Sequence, residues 1–171
     1  LCSDDGGDSW QLADGSNGQP QFGRPAAGLV HPDVHSIAVH PSSHHLLYAP
    51  TGGGFYHSAN GGVSWQPLYQ NCYVRAVWVN PNNRQEMILG PADNSSGQNG
   101  RVEHTKDGGQ SWQPLTEPQN RNMVERFVPV NDHLFAVMSN GELWHAPPSW
   151  QNWQPILPKY TKINAAYQMI A

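Results

Sequence analysis

Four short segments of this chain align on a tryptophan, and that repeat limits the fold more than any other feature. They are Trp10-Gln11-Leu12-Ala13, Trp65-Gln66-Pro67-Leu68, Trp112-Gln113-Pro114-Leu115 and Trp153-Gln154-Pro155-Ile156. The interval between them is roughly 40 to 55 residues, which suits either a four-stranded propeller blade or a long helical repeat. The helical option fails because glycine, proline and asparagine interrupt every window long enough for a helix. The expected fold class is therefore all-β, a stack of four-stranded antiparallel sheets.

The residues before each tryptophan sharpen the pattern. Ser3-Asp4-Asp5-Gly6-Gly7-Asp8-Ser9-Trp10 and Thr105-Lys106-Asp107-Gly108-Gly109-Gln110-Ser111-Trp112 both read Ser/Thr-x-Asp-x-Gly-x-Ser/Thr-Trp. Ser58-Ala59-Asn60-Gly61-Gly62-Val63-Ser64-Trp65 places Asn where the others have Asp, and the fourth copy keeps only Trp153 and its followers. The key positions are thus Ser3, Asp5, Gly7 and Trp10; Ser58, Asn60, Gly62 and Trp65; and Thr105, Asp107, Gly109 and Trp112. The pattern resembles the Asp-box, or BNR, repeat of sialidases, sortilin-type receptors, some endoglucanases and photosystem-assembly propellers. The resemblance covers nearly the whole chain. Physically, Asp-x-Gly supplies a chain reversal, because the carboxylate accepts backbone N–H bonds and glycine adopts positive φ. The leading hydroxyl ties back onto the loop, and each tryptophan is expected to bury its ring between neighbouring sheets. On this reading the aspartates form turns and are not catalysts.

Strand-and-turn reading then divides the chain into a half blade (1–13), whole blades at 34–69, 74–115 and 123–157, and the first strand of a further blade at 163–171. The first whole blade starts with strands at 34–39 and 45–49. Calling the strands A to D from the axis outward, the tryptophan turn is the C–D hairpin. About three and a half blades do not close an ordinary ring of four to eight. Either the chain is a piece of a longer one, or copies associate.

Composition is consistent with a turn-rich domain. Charged residues are only 13% of the chain, with 13 acidic and 9 basic side chains and a net charge of −4. Aromatic content argues against disorder. The acidic balance argues against nucleic acid as a partner. No apolar run approaches the roughly 20 residues that span a bilayer. Cys2 and Cys72 can pair or remain separate thiols, and their spacing does not decide. Few lysines and the Asn94-Ser95-Ser96 triplet lean toward a secreted or extracellular protein.

In propellers of the resembled kind the D–A and B–C loops make the ligand face, and the tryptophan turns lie on the other. The second residue of each strand A reads His35, Arg75, Glu125 and Asn164, which gives the top of the central channel a polar lining. Candidate binding residues are His35, Tyr73, Arg75, Asn94, Arg101, Glu125 and Arg126. Tyr160, Gln98, Asn99 and Asn122 also fall in ligand-face loops. A sialidase-like site would gather Arg75, Arg101 and Arg126 near Glu125, Asp33 and Tyr73. The sialidase Phe/Tyr-Arg-Ile-Pro signature is absent, and Phe22-Gly23-Arg24-Pro25 displaces its arginine. An endoglucanase-like site would need two facing carboxylates about 5–10 Å apart, and sequence does not place Asp33, Asp93 or Glu125 so. His31, His35, His40, His44 and His45 crowd one stretch, but successive strand residues diverge, and no metal or other cofactor is expected. His57, His104 and His145 recur one per blade as local strand residues. The expected function is non-catalytic recognition of a glycan or protein ligand. A part of a sialidase-like or endoglucanase-like hydrolase is the first alternative, and an assembly scaffold is the second.

Overall fold

The computed structural model describes residues 1, 3–12, 27–115 and 122–157. The strand expected at 163–171, the Phe22 to Pro25 segment, Cys2, Tyr160 and Asn164 lie outside the described residues. All regular structure among the described residues is β-strand, in three four-stranded antiparallel sheets. The first holds β1 (Ala38–Val39), β2 (Leu47–Thr51), β3 (Gly54–Ser58) and β4 (Gln66–Gln70) in sequence order. The second holds β5 (Tyr73–Val79), β6 (Met87–Ala92), β7 (Glu103–Thr105) and β8 (Gln113–Pro114). The third holds β9 (Val124–Val130), β10 (His133–Met138), β11 (Leu143–Ala146) and β12 (Gln154–Leu157). The sheets are meanders of the kind that build a β-propeller, with β1, β5 and β9 as the innermost strands.

The first strand is shorter than the sequence implies. Instead of a continuous run from 34 to 39, Val34 makes one bridge to Thr51, and regular pairing resumes at Ala38. Between them Ser36 turns its hydroxyl to the Arg75 carbonyl of the next sheet (3.1 Å), which interrupts the ladder. The A–B turns repeat faithfully. His40 and Asn80 each begin one, and their side chains accept the backbone N–H of Ser42 and Asn82 at 3.1 and 2.9 Å. His40 also reaches the Asn80 carbonyl with Nε2 at 3.1 Å, pinning one turn to the next.

Apolar alternation along the strands fills the space between sheets. Tyr48 and Phe55 of the first sheet pack with Val74, Met87 and Leu89 of the second. Ile88 and Val102 of the second pack with Val124, Leu134, Ala136 and Met138 of the third. Gly90 permits a close approach, since a Cβ there would stand 2.5 Å from the Val124 Cβ.

The C–D turns have a common hydrogen-bond plan. The Asp107 carboxylate accepts from the Thr105 hydroxyl (2.7 Å), the Ser111 N–H (2.9 Å) and the Ser111 hydroxyl (2.6 Å). The Thr105 hydroxyl in turn accepts the Gly109 N–H at 3.0 Å. Ser3, Asp5, Gly7 and Ser9 reproduce the set. In the third turn the Asn60 carbonyl oxygen still accepts from Ser58 and Ser64, while its amide donates to the Ser64 hydroxyl at 2.9 Å. Asparagine therefore keeps the turn by reversing one hydroxyl.

The fourth turn departs from expectation in an instructive way. It lacks the acidic residue and both glycines, yet Ser149 (φ 80°) and Trp150 (φ 53°) occupy the left-handed conformations that Gly108 (φ 74°) and Gly109 (φ 89°) occupy in their turn. The Trp150 ring lies 4.4 Å from Trp78, and its N–H donates to the Asp132 carbonyl. Packing against the second sheet holds a backbone that the local sequence does not favour.

The tryptophans also diverge. Trp65 and Trp153 are buried and donate ring N–H bonds back into their own turns, to the Gly62 and Trp150 carbonyls at 3.0 and 2.9 Å. Trp112 swings toward the first sheet, edge-on to Phe55 and Tyr69 at 5.9 Å each. Trp10 corrects the expectation of uniform burial. It makes the same backward bond, to the Gly7 carbonyl, but is 61% exposed, so that bond by itself does not bury the ring.

Candidate functional site

The three innermost strands diverge around an open cleft of about 460 Å³, lined by residues 35–38, 75–77 and 125–127. One end is polar because His35, in the segment leading into β1, meets Arg75 of β5 and Glu125 of β9 there. The other end is apolar, with Ile37, Val77 and Phe127.

Arg75 on β5 reaches across to β9 and donates from Nη1 to both Glu125 oxygens, at 2.7 and 2.9 Å. The hydrogen bond to Glu125, outweighing partial burial, raises the guanidinium above its ordinary value. Tyr73, one pleat before Arg75, lies under it, with the guanidinium carbon 5.6 Å from the ring centroid. His35 packs on the other side of Tyr73 at 4.7 Å between centroids. Burial pulls the His35 imidazole below its ordinary value, with Asp33 pulling in the opposite direction from 3.6 Å, so the neutral ring predominates near pH 7. Its Nε2 is buried without a hydrogen-bond partner. The Gly52-Gly53 turn fits beneath the segment leading into β1, where a Cβ would collide with Asp33 and His31.

The structure brings together five of the sequence candidates: His35, Arg75, Glu125 and the exposed Arg126 on the cleft wall, with Tyr73 packed against His35 and Arg75. It separates Arg101 from them. That side chain donates to Glu103 at 2.6 Å, Asp93 at 3.2 Å and the Tyr69 hydroxyl at 3.1 Å. Burial disfavours its charge, but the bonds to Glu103 and Tyr69 more than compensate and raise it. Three arginines therefore do not converge, because Arg101 is taken up in tying β7 to β4. Burial also pushes the nearby Cys72 thiol up to about 12. Asn94 folds into its own loop, accepting from Ser96 and donating to Gln98. Asn99 donates to Asp93, and Asn122 accepts from Ser139 at 2.5 Å.

Sequence reasoning did not select Tyr69 or Glu103 as partners. Glu103 stands two residues before the Thr105 of its turn, hence on the same face of β7, and that spacing was the available signal. His104 does more than the local work expected of it: it bonds Glu86 of its own sheet through Nε2 and Gln151 of the third blade's turn through Nδ1, each at 3.0 Å. Among the described residues no three metal-ligating side chains come together.

No family model matches the chain, and no curated protein matches it. Solved structures do match. An ancestral GH74 enzyme aligns at a TM-score of 0.66 and 22% identity, covering 77% of this chain and 19% of that one. The GH74 xyloglucanase from Xanthomonas campestris aligns at 0.57 and 16%, covering 71% and 22%. YCF48 bound to D1 peptide aligns at 0.54 and 17%, covering 75% and 42%. The chain thus spans between 19% and 42% of the length of these structures. At such identity the likeness is one of fold, and with the three meander sheets it makes the described residues blades of a β-propeller.

Proposed function

We propose that the chain is a segment of an Asp-box-type propeller whose cleft recognises a glycan or protein ligand, outside the cell, without converting it. The observation that carries this reading is the Arg75–Glu125 pair. Both oxygens of the Glu125 carboxylate are already engaged by the guanidinium, which suits orienting hydroxyls or amides better than moving protons. The aromatic rings of Tyr73 and His35 beside it offer faces for sugar C–H groups or peptide side chains. The shared hydrogen-bond plan of the Asp5, Asn60 and Asp107 turns supports the Asp-box assignment. The solved YCF48 complex, a propeller with a bound peptide, fits the protein arm of the reading. The Asn94-Ser95-Ser96 triplet, exposed on the β6–β7 loop, fits an extracellular setting.

A glycan array run beside turnover assays on β-glucans and fluorogenic sialosides tests it. Binding without turnover is expected, with Tyr73→Ala weakening it about three- to tenfold. Turnover that disappears in Glu125→Gln would instead establish a glycoside hydrolase. Absence of both binding and turnover would direct the search to a protein ligand.

A further inference from the structure

His133 opens β10 and His145 lies on the adjacent β11, on the face of the third sheet turned away from the second. Their ring nitrogens Nδ1 and Nε2 stand 2.8 Å apart, with the rings 15° from parallel and 5.0 Å between centroids. Phe135, the cross-strand partner of His145, lies 4.9 Å from its ring and fixes its orientation. On the far side of His133, the Asp132 carboxylate is 3.6 Å from Nε2.

That geometry is close to a chelate. Imidazole nitrogens bind divalent transition metals at about 2.0–2.1 Å, which sets two ligands at right angles about 2.9 Å apart. The observed separation is within a tenth of an ångström or so of that bite. The Asp132 carboxylate, 3.6 Å from Nε2 of His133, is beyond hydrogen-bond reach and adds only negative charge beside the pair. At 2.8 Å the two nitrogens share a hydrogen bond, and a bound metal ion takes the place of the proton between them, which is released to solvent or moves to the outer nitrogen of its ring. The second sheet provides an internal contrast. Glu86 and His104 hold the positions equivalent to His133 and His145, but both His104 nitrogens are occupied, by Glu86 and Gln151. Among the described residues, only the third sheet sets two ring nitrogens against each other.

We propose that His133 and His145 bind one divalent transition-metal ion as a cis pair, with water completing the coordination. Affinity follows the order expected of imidazole ligands, Cu²⁺ above Ni²⁺ and Zn²⁺. Binding joins the ends of β10 and β11 and raises the unfolding temperature with metal concentration.

The test is titration of the purified chain with Cu²⁺, followed by calorimetry and by electron paramagnetic resonance. One ion per chain is expected, with hyperfine structure from two nitrogens. His133→Gln and His145→Gln should each remove that signal, and His104→Gln should leave it intact. Unfolding temperatures without metal establish that the variants fold. Should half-buried His145→Gln fail to fold, His133→Gln carries the test, since that side chain is 42% exposed. Undiminished uptake by the His133→Gln/His145→Gln double variant, or no uptake by the wild type, overturns the proposal.

Discussion

At the scale of single residues, the turn aspartates are small electrostatic devices. The Ser111 hydroxyl first, and then its backbone N–H, hold the Asp107 carboxyl well below the usual carboxylate range, and Ser9 does the same for Asp5. A carboxyl whose folded value is depressed contributes stability above its unfolded value and loses it as pH falls toward the folded one. The expected outcome is that Asp107→Asn unfolds at a lower temperature than wild type at pH 6. The gap should narrow below about pH 4, where the unfolded chain begins to take up protons. Thermal unfolding followed between pH 6 and pH 2 checks this. A gap constant across the range would mean that the turn owes nothing to the charge. Asn60 gives the comparison within the molecule, since its turn holds the same shape with no titrating group.

At the scale of elements, much of the architecture was legible because it is written locally. The Ser/Thr-x-Asp-x-Gly-x-Ser-Trp turns carry their own hydrogen-bond partners, so they could be read without knowing what they pack against. The same holds for the A–B turns opened by His40 and Asn80. What was not legible depends on contacts between sheets. Nothing local says that Trp112 turns outward to Phe55 while Trp65 turns inward, or that Arg101 leaves the cleft for Glu103 and Tyr69. The polar cleft wall was half legible. Strand alternation placed His35, Arg75 and Glu125 at equivalent positions, but only the packed sheets bring Arg75 onto Glu125. The fourth turn is the clearest case of tertiary override. Ser149 keeps a left-handed backbone with neither glycine nor aspartate, because Trp150 is anchored on Trp78. Relief of that strain predicts that Ser149→Gly stabilises the protein by about 0.5–1 kcal/mol, read as a higher urea midpoint at unchanged slope. Loss of stability would show that the Ser149 conformation is not strained.

At the scale of the whole molecule, stability resides in the contacts between successive sheets. At Gly90 the second sheet lies close against Val124 of the third. Gly90→Ala is expected to cost about 1–3 kcal/mol by overpacking against Val124, measured by denaturant unfolding. Adding Val124→Gly, which removes the Cβ that the new methyl would meet, should recover part of that loss, and full additivity of the two changes would rule out the contact as its cause. The open cleft belongs to this scale as well, since each innermost strand supplies only one or two of its polar groups.

The contacts between sheets also differ in kind from one junction to the next. Trp112 against Phe55 and the Arg101–Glu103–Tyr69 cluster join the first sheet to the second, whereas Glu86–His104–Gln151 and the glycine socket at Gly90 join the second to the third. Repeats that fold alike are prone to dock in the wrong order. Here a transposed neighbour would deprive Arg101 and Glu103 of the Tyr69 hydroxyl they share and would press a side chain into the Gly90 gap. The junctions thus serve as addresses, giving a chain of near-identical units one order of assembly.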